Sequence, residues 1–210
     1  NPAQLMARYE PYSLKWNSEE ALRLVAWIVM KAIDISSHIK GKDASELSRP
    51  DLIDHLYPLW GKKLGKDSSK EARSSDWVIT ALSDLKGQIQ ARDLVRFLNK
   101  AALASVEDTR WNDRILVPSA IRISIKECSI DKIAEIEQEN ETLKVIFAKL
   151  KALDPEEMLI PFTQEQGRLS LDELAILEKS GAILRDEEEY YMPEIFRRGL
   201  AFNLKAGKRP

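Results

Sequence analysis

The chain has 210 residues, with 32 Lys or Arg against 34 Asp or Glu and a formal net charge of −2. That length allows one or two domains around a sizeable core, and the near-neutral balance gives no overall pull towards nucleic acid. One cysteine, Cys128, excludes an intrachain disulfide and a cysteine-based zinc site, which fits a reducing cytoplasm, and no apolar run reaches the ~18 residues of a membrane span.

Residues 1–16 carry prolines at 2 and 11 and no periodicity, and read as an N-terminal arm. The chain starts at Asn1 rather than Met and is expected to be a piece of something longer. Asn17 with Glu20 makes a capping box, stapled by Trp16, and predicts a helix over 18–36. That helix is apolar almost all round (Leu22, Leu24, Val25, Trp27, Ile28, Val29, Ile33), the pattern of a central, buried element. Pro50 suits the first turn of a second helix burying Leu52, Ile53, Leu56, Leu59 and Trp60, which Pro58 must bend or end. The Lys-, Gly- and Ser-rich stretch 61–75 is expected to be a mobile loop. A third helix is predicted over 76–86, burying Trp77, Ile79, Leu82 and Leu85, with Gly87 as its breaker.

Residues 88–104 read as one amphipathic helix. Ile89, Leu94, Val95, Leu98, Ala101 and Ala102 recur at helical spacing and face a core, while Arg92 and Arg96 lie four apart on the other side. Thr109 to Val117 is a short connector. Pro118 opens a helix burying Ile121, Ile125 and Cys128, and Ser129 is expected to cap another that runs to Leu153. On that helix Ile133, Ile136, Asn140, Leu143, Phe147 and Leu150 alternate by three and four. Such a seam either docks on its own domain or joins a homo-oligomer. A short helix is predicted over 155–160. Ser170 with Glu173 makes a second capping box, with Leu171, Leu174 and Leu177 facing inward and Gly181 at the C-cap. A small hairpin with an acidic tip, Asp186 to Glu189, precedes a last short helix begun by Pro193, and Lys205 to Pro210 is a basic tail. The prediction is a mainly α chain: a multi-helix bundle over 17–152, then a small winged-helix-like α+β module with one short hairpin over 153–210.

Few residue groups suggest chemistry. His38 and His55 are the only histidines and neither lies in a nucleophile or metal-ligand motif. Cys128 sits on an apolar helix face, where a thiol is inert. Gly61 to Asp67 approaches the phosphate loop GxxxxGK[ST] but its glycines are one residue too close, and Asp67 replaces the hydroxyl that would hold magnesium. From Leu153 onward 8 Lys or Arg face 12 Asp or Glu, so the winged-helix-like end is acidic where duplex DNA needs cations, and a protein partner fits better. The paired guanidinium groups of Arg92 and Arg96 either meet carboxylates or solvent, or aim at a phosphate.

The run Trp77, Ala81-Leu82-Ser83-Asp84 and Ala91-Arg92-Asp93-Leu94-Val95-Arg96-Phe97-Leu98 resembles the "RDL-RFL" helix that follows the nucleotide-binding core of certain large bacterial P-loop ATPases, among them ParA/MinD-like proteins and AAA+ and STAND relatives. Leu177 to Leu184 with Tyr191 to Arg197 resembles the closing winged-helix segment of the same proteins. The resemblance implies a non-catalytic C-terminal region of such an ATPase, a lid and protein-interaction module in which Arg92, and less directly Arg96 one turn on, senses the nucleotide phosphates. The chain has no Walker A loop and no recognisable Walker B strand. Alone it is not expected to be an enzyme or to hold a cofactor, while ATP and Mg are implied for the parent protein. The implied partner is the upstream ATPase core. A DNA-binding regulator and a helical oligomerisation adaptor using the Ile133 to Leu150 seam remain the alternatives. No membrane association is expected, and the location is expected to be cytoplasmic.

Overall fold

A computed structural model describes residues 15–32 and 43–206. Expectations placed on 1–14, 33–42 and 207–210, including most of the arm, Ile33, His38, Lys208 and Arg209, lie outside the described residues. Lys15–Trp16 is a strand, β1, which pairs antiparallel with β2, Ile89–Gln90, so the end of the expected arm is tied to the body. The capping box forms as its residues dictate: Asn17 accepts from the backbone N–H of Glu19 and Glu20, and Glu20 accepts from that of Asn17. It starts α1, Ser18–Lys31, which buries Ala21, Leu22, Val25, Ala26 and Val29 on one face. The opposite face is open, with Trp27 51% exposed, so α1 is amphipathic rather than buried all round.

Ser48 caps α2, Arg49–His55, and the chain breaks at Leu56 into a single turn, α3, Tyr57–Trp60, because Pro58 cannot continue the helical ladder. The stretch that follows is held rather than free. Lys63 bridges to Arg73, and the buried Arg114 guanidinium donates to Lys63 O (2.7 Å) while stacking 4.3 Å from the Trp111 ring. Arg114 also fills the space above Gly61, where any Cβ would overlap it. Next comes α4, Ser74–Leu82, which stops short of residue 86. Asp84 accepts from the backbone N–H of Lys86 and Gln88 and turns the chain at Gly87, so local side-chain bonding outcompetes another helical turn. Val78 is buried on α4, and Trp77 is only partly covered.

Three helices follow: α5, Ala91–Ser105; α6, Pro118–Glu139; and α7, Glu141–Lys151. Ser129 does not cap a helix. Its hydroxyl donates to Ile125 O (2.7 Å) inside α6, and the break falls at Asn140, whose side chain accepts from Leu143 N and caps α7. The seam expected on one helix is therefore divided between two. Its residues Ile133, Leu143, Phe147 and Leu150 are buried in the chain's own core, Ile136 is half-covered and Asn140 is exposed.

Leu159–Ile160 is a strand, β3, where a helix was predicted. After it come α8, Gln164–Gly167; α9, Leu171–Ser180, with its capping box and left-handed Gly181; a hairpin of β4, Leu184–Asp186, and β5, Glu189–Tyr191; α10, Glu194–Gly199; and β6, Asn203–Leu204. β6 pairs parallel with β3, and Phe162 and Tyr190 exchange backbone hydrogen bonds of 3.1 and 2.8 Å. Leu174 and Leu177 point inward from α9, but Leu171 is 66% exposed. The chain is thus mainly α with small two-stranded sheets. Among the described residues no helix is long and apolar enough to cross a membrane.

One contiguous apolar cluster runs from Ala21 to Phe202, passing through Leu150, Leu153 and Met158 without a gap. Its tightest joint is α10 on α6, where a Cβ at Gly199 would overlap Ser129 O and Ile133 Cγ1. Replacing Gly199 with Ala is expected to cost about 1–3 kcal/mol through overpacking against backbone that cannot yield. Urea denaturation checks this, and an unchanged midpoint would show that α10 does not rest on α6 this closely.

Candidate functional site

The two arginines singled out by the sequence sit on α5, and α6 runs beside them. Asp93 and Lys132 occupy core positions on these facing helices. Asp93 follows the buried spacing of Phe97 and Ala101, and Lys132 lies beside the buried Cys128, Ser129 and Ile133. A carboxylate and an ammonium in such places must pair. Lys132 Nζ donates to Asp93 Oδ2 at 2.8 Å and to Gln90 Oε1 at 2.6 Å.

Arg96 extends this pair into a ladder. Its Nη2 donates to Glu135 Oε1, its Nη1 lies 3.8 Å from Asp93 Oδ1, and its Nε lies 3.8 Å from Asp131 Oδ2. One turn on, Lys100 Nζ stands 3.3 Å from both Glu127 and Asp131. Arg92 closes the other end, with Nη1 3.3 Å from the same Glu135 oxygen that Arg96 holds. The side chains differ in access: Arg96 is 22% exposed and Arg92 57%. Arg96 is committed to carboxylates of its own fold, and Arg92 shares one of them from the solvent side. Burial raises the Glu135 carboxyl, but the Arg96 hydrogen bond and the charges of Arg96, Arg92 and Lys132 outweigh it and hold it below its ordinary value. The Glu135 hydrogen bond is the largest influence on Arg96 and lifts its guanidinium above the usual value, so it stays charged.

Arg92 also stands in the first turn of α5, whose N-cap, Gln90, makes no side-chain cap and accepts from Lys132 instead. The first N–H groups of a helix have no intrahelical partner, and the dipole there favours an anion. Beside the ladder is a cleft of about 370 Å³ between α5, α6 and α10, lined by Asp93, Lys132, Glu135, Glu139, Ile136 and Phe196 among others. Its carboxylates make it unsuited to a phosphate, so an anion would meet Arg92 from outside rather than enter. Among the described residues no group of three or more His, Cys, Asp or Glu is arranged to hold a metal ion.

Val95 and Ala102, expected inside, face solvent on α5, Leu98 is half-covered, and the buried face is made by Asp93, Leu94, Phe97, Ala101 and Ser105. The sequence reading missed Asp93, Lys132 and Glu135. The available signal was the four-residue spacing of Asp93, Phe97 and Ala101, which puts a carboxylate in a core row. Cys128 is buried and its thiol is pushed up to about 12 by that burial, so it stays protonated. His55 is partly buried with Nε2 unpartnered among the described residues, and burial lowers its pKa. His55 lies away from the α5–α6 ladder, whereas Cys128 is on α6, where the charges of Lys100, Arg96, Asp131 and Asp93 act on its thiol. No family model matches the chain, and no curated protein or solved structure matches it either.

Two outcomes follow from the ladder. Lys132→Met strands the Asp93 charge and is expected to cost about 3–5 kcal/mol, with much of the loss recovered when Asp93→Asn is added; denaturation of the single and double variants measures it. Glu135 binds its proton more weakly when folded than unfolded, so its stabilisation is present above its ordinary value of 4.5 and is lost as pH falls below that. Glu135→Gln should therefore flatten the acid limb of a stability–pH curve, and an unaltered limb would contradict the pairing.

Proposed function

We propose that this chain is a non-catalytic helical region of a larger cytoplasmic P-loop ATPase, which contacts the nucleotide phosphates through Arg92 and other proteins through its C-terminal end. The observation that carries it is the position of Arg92: a half-free guanidinium in the first turn of α5, at a helix end with no side-chain cap. Those two features favour the same ligand, an anion arriving from a neighbouring body. Arg96, spent on Glu135, acts by positioning: it keeps Glu135 shared, so that Arg92 is held loosely enough to leave. ATP and Mg would be bound by the ATPase core upstream, which is the principal partner in this reading. The resemblance of the Arg92 run to the lid helix of such ATPases supports it.

A second reading, duplex DNA binding by 153–210, draws on the order β3, α8, α9, hairpin, which suits a winged helix. The exposed Asp172 on α9 and the exposed Asp186, Glu187 and Glu188 at the hairpin turn weigh against it.

In the intact ATPase, Arg92→Ala is expected to lower nucleotide affinity or turnover by roughly tenfold or more, the value of a lost charge-assisted contact. Because the side chain is exposed, its melting temperature should barely move. Unchanged turnover and affinity would remove the sensing role.

A further inference from the structure

We propose that the cleft between α5, α6 and α10 binds a small organic ammonium ion, a primary or secondary amine carried on an apolar body. Arg92 does not line this cleft, so the amine site and the phosphate contact proposed above stand or fall separately. The cavity, about 370 Å³, lies in the size range of small-molecule sites. Ile136, Leu143, Ile195 and Phe196 give it apolar walls. Among these walls stand acceptors in excess of donors. Asp93, 1% exposed, accepts from the Lys132 ammonium through Oδ2 at 2.8 Å. Its Oδ1 is buried and accepts no hydrogen bond; Arg96 Nη1 stands 3.8 Å off, beyond hydrogen-bond length. Gln88, also in the lining, has a buried Oε1 with no donor among the described residues. Buried acceptors left without donors carry a desolvation cost that the N–H groups of a ligand remove.

Charge fixes the sign of that ligand. Lys132 is the one basic residue in the lining, and its bonds go to Asp93 and Gln90. Of the four carboxylates there, those of Asp93 and Glu135 are paired within the ladder. Asp84 and Glu139 carry no ion pair among the described residues. Asp84 spends Oδ1 on the backbone N–H groups of Lys86 and Gln88, and Glu139 is exposed. Two unmatched carboxylates and two donorless oxygens in one cavity suit N–H groups that bring positive charge. A carboxylate or phosphate meets like charge, and a neutral alcohol brings a donor without the charge.

Calorimetric titration of the chain with 2-phenylethylamine, 2-phenylethanol and phenylacetate, close in size and different in charge, tests the proposal. The amine should bind in roughly the millimolar range or tighter, about tenfold or more better than the alcohol, and phenylacetate should not bind. Nα-acetyl-lysine amide presents the same ammonium as a partner's lysine would, without the apolar body, and should bind roughly tenfold more weakly than the amine. Amide shift changes on adding the amine should map to Asp84, Gln88 and Glu139. Glu139→Gln and Gln88→Leu, both outside the buried Asp93–Lys132 pair and checked for fold by circular dichroism, should each weaken the amine by roughly three- to tenfold. Equal affinity for amine and alcohol, or tighter binding of phenylacetate or of the lysine derivative, would overturn the proposal. So would shifts that map elsewhere, unaltered binding in both variants, or no amine binding at about 10 mM.

Discussion

The ion pair of Asp93 with Lys132 sets the terms for the rest of the packing. Both residues stand where their helices turn inward, and each alone would leave a charge out of water at a cost of several kcal/mol. They are tolerable only opposite one another. That requirement fixes which turn of α5 meets which turn of α6, because a slip of one turn would strand both. With the register set, Arg96 falls opposite Asp131 and Glu135, and Lys100 opposite Glu127. The adjoining face of α6 then receives α10 at Gly199, where the backbones come as close as the absence of a side chain permits. The C-terminal end is in this way locked to the helix that carries the charged ladder.

The same ladder sorts the two arginines. A phosphate reaching Arg96 would have to displace Glu135 and leave that carboxylate half-buried without its strongest partner. Reaching Arg92 costs only the weaker half of a shared contact, which is open to solvent and screened by it. Electrostatics therefore divides two residues that look equivalent along the chain into one that holds the helices together and one that can face outward.

Much of the local structure was legible. Asn17 with Glu20, Ser170 with Glu173, Pro118 and Gly181 each act within a few residues of themselves, and each does in three dimensions what its type dictates. Errors arose where a tertiary partner or a competing local bond decided. Ser129 looks like a cap but bonds back into its own helix, while Asn140, read as a polar seam position, ends one helix and starts the next. Asp84 stops α4 by capturing two backbone N–H groups. At the candidate site the pair of arginines was visible at once. Glu135 and Lys132, about forty residues away along the chain, were not, since periodicity says which face a residue is on but not what faces it.

Charge is distributed differently over the α5–α6 ladder and over the C-terminal segment. The ladder is nearly neutral within itself, with its carboxylates and cations matched, whereas the surface beyond Leu153 keeps an acidic excess. The most direct measurement is the NMR spectrum of the arginine side-chain Nε–H groups in the intact protein, with and without ATP. This account predicts a protected Arg96 signal that nucleotide leaves in place and an Arg92 signal that nucleotide moves. An Arg92 signal indifferent to nucleotide, or an Arg96 signal that moves in its stead, would contradict it.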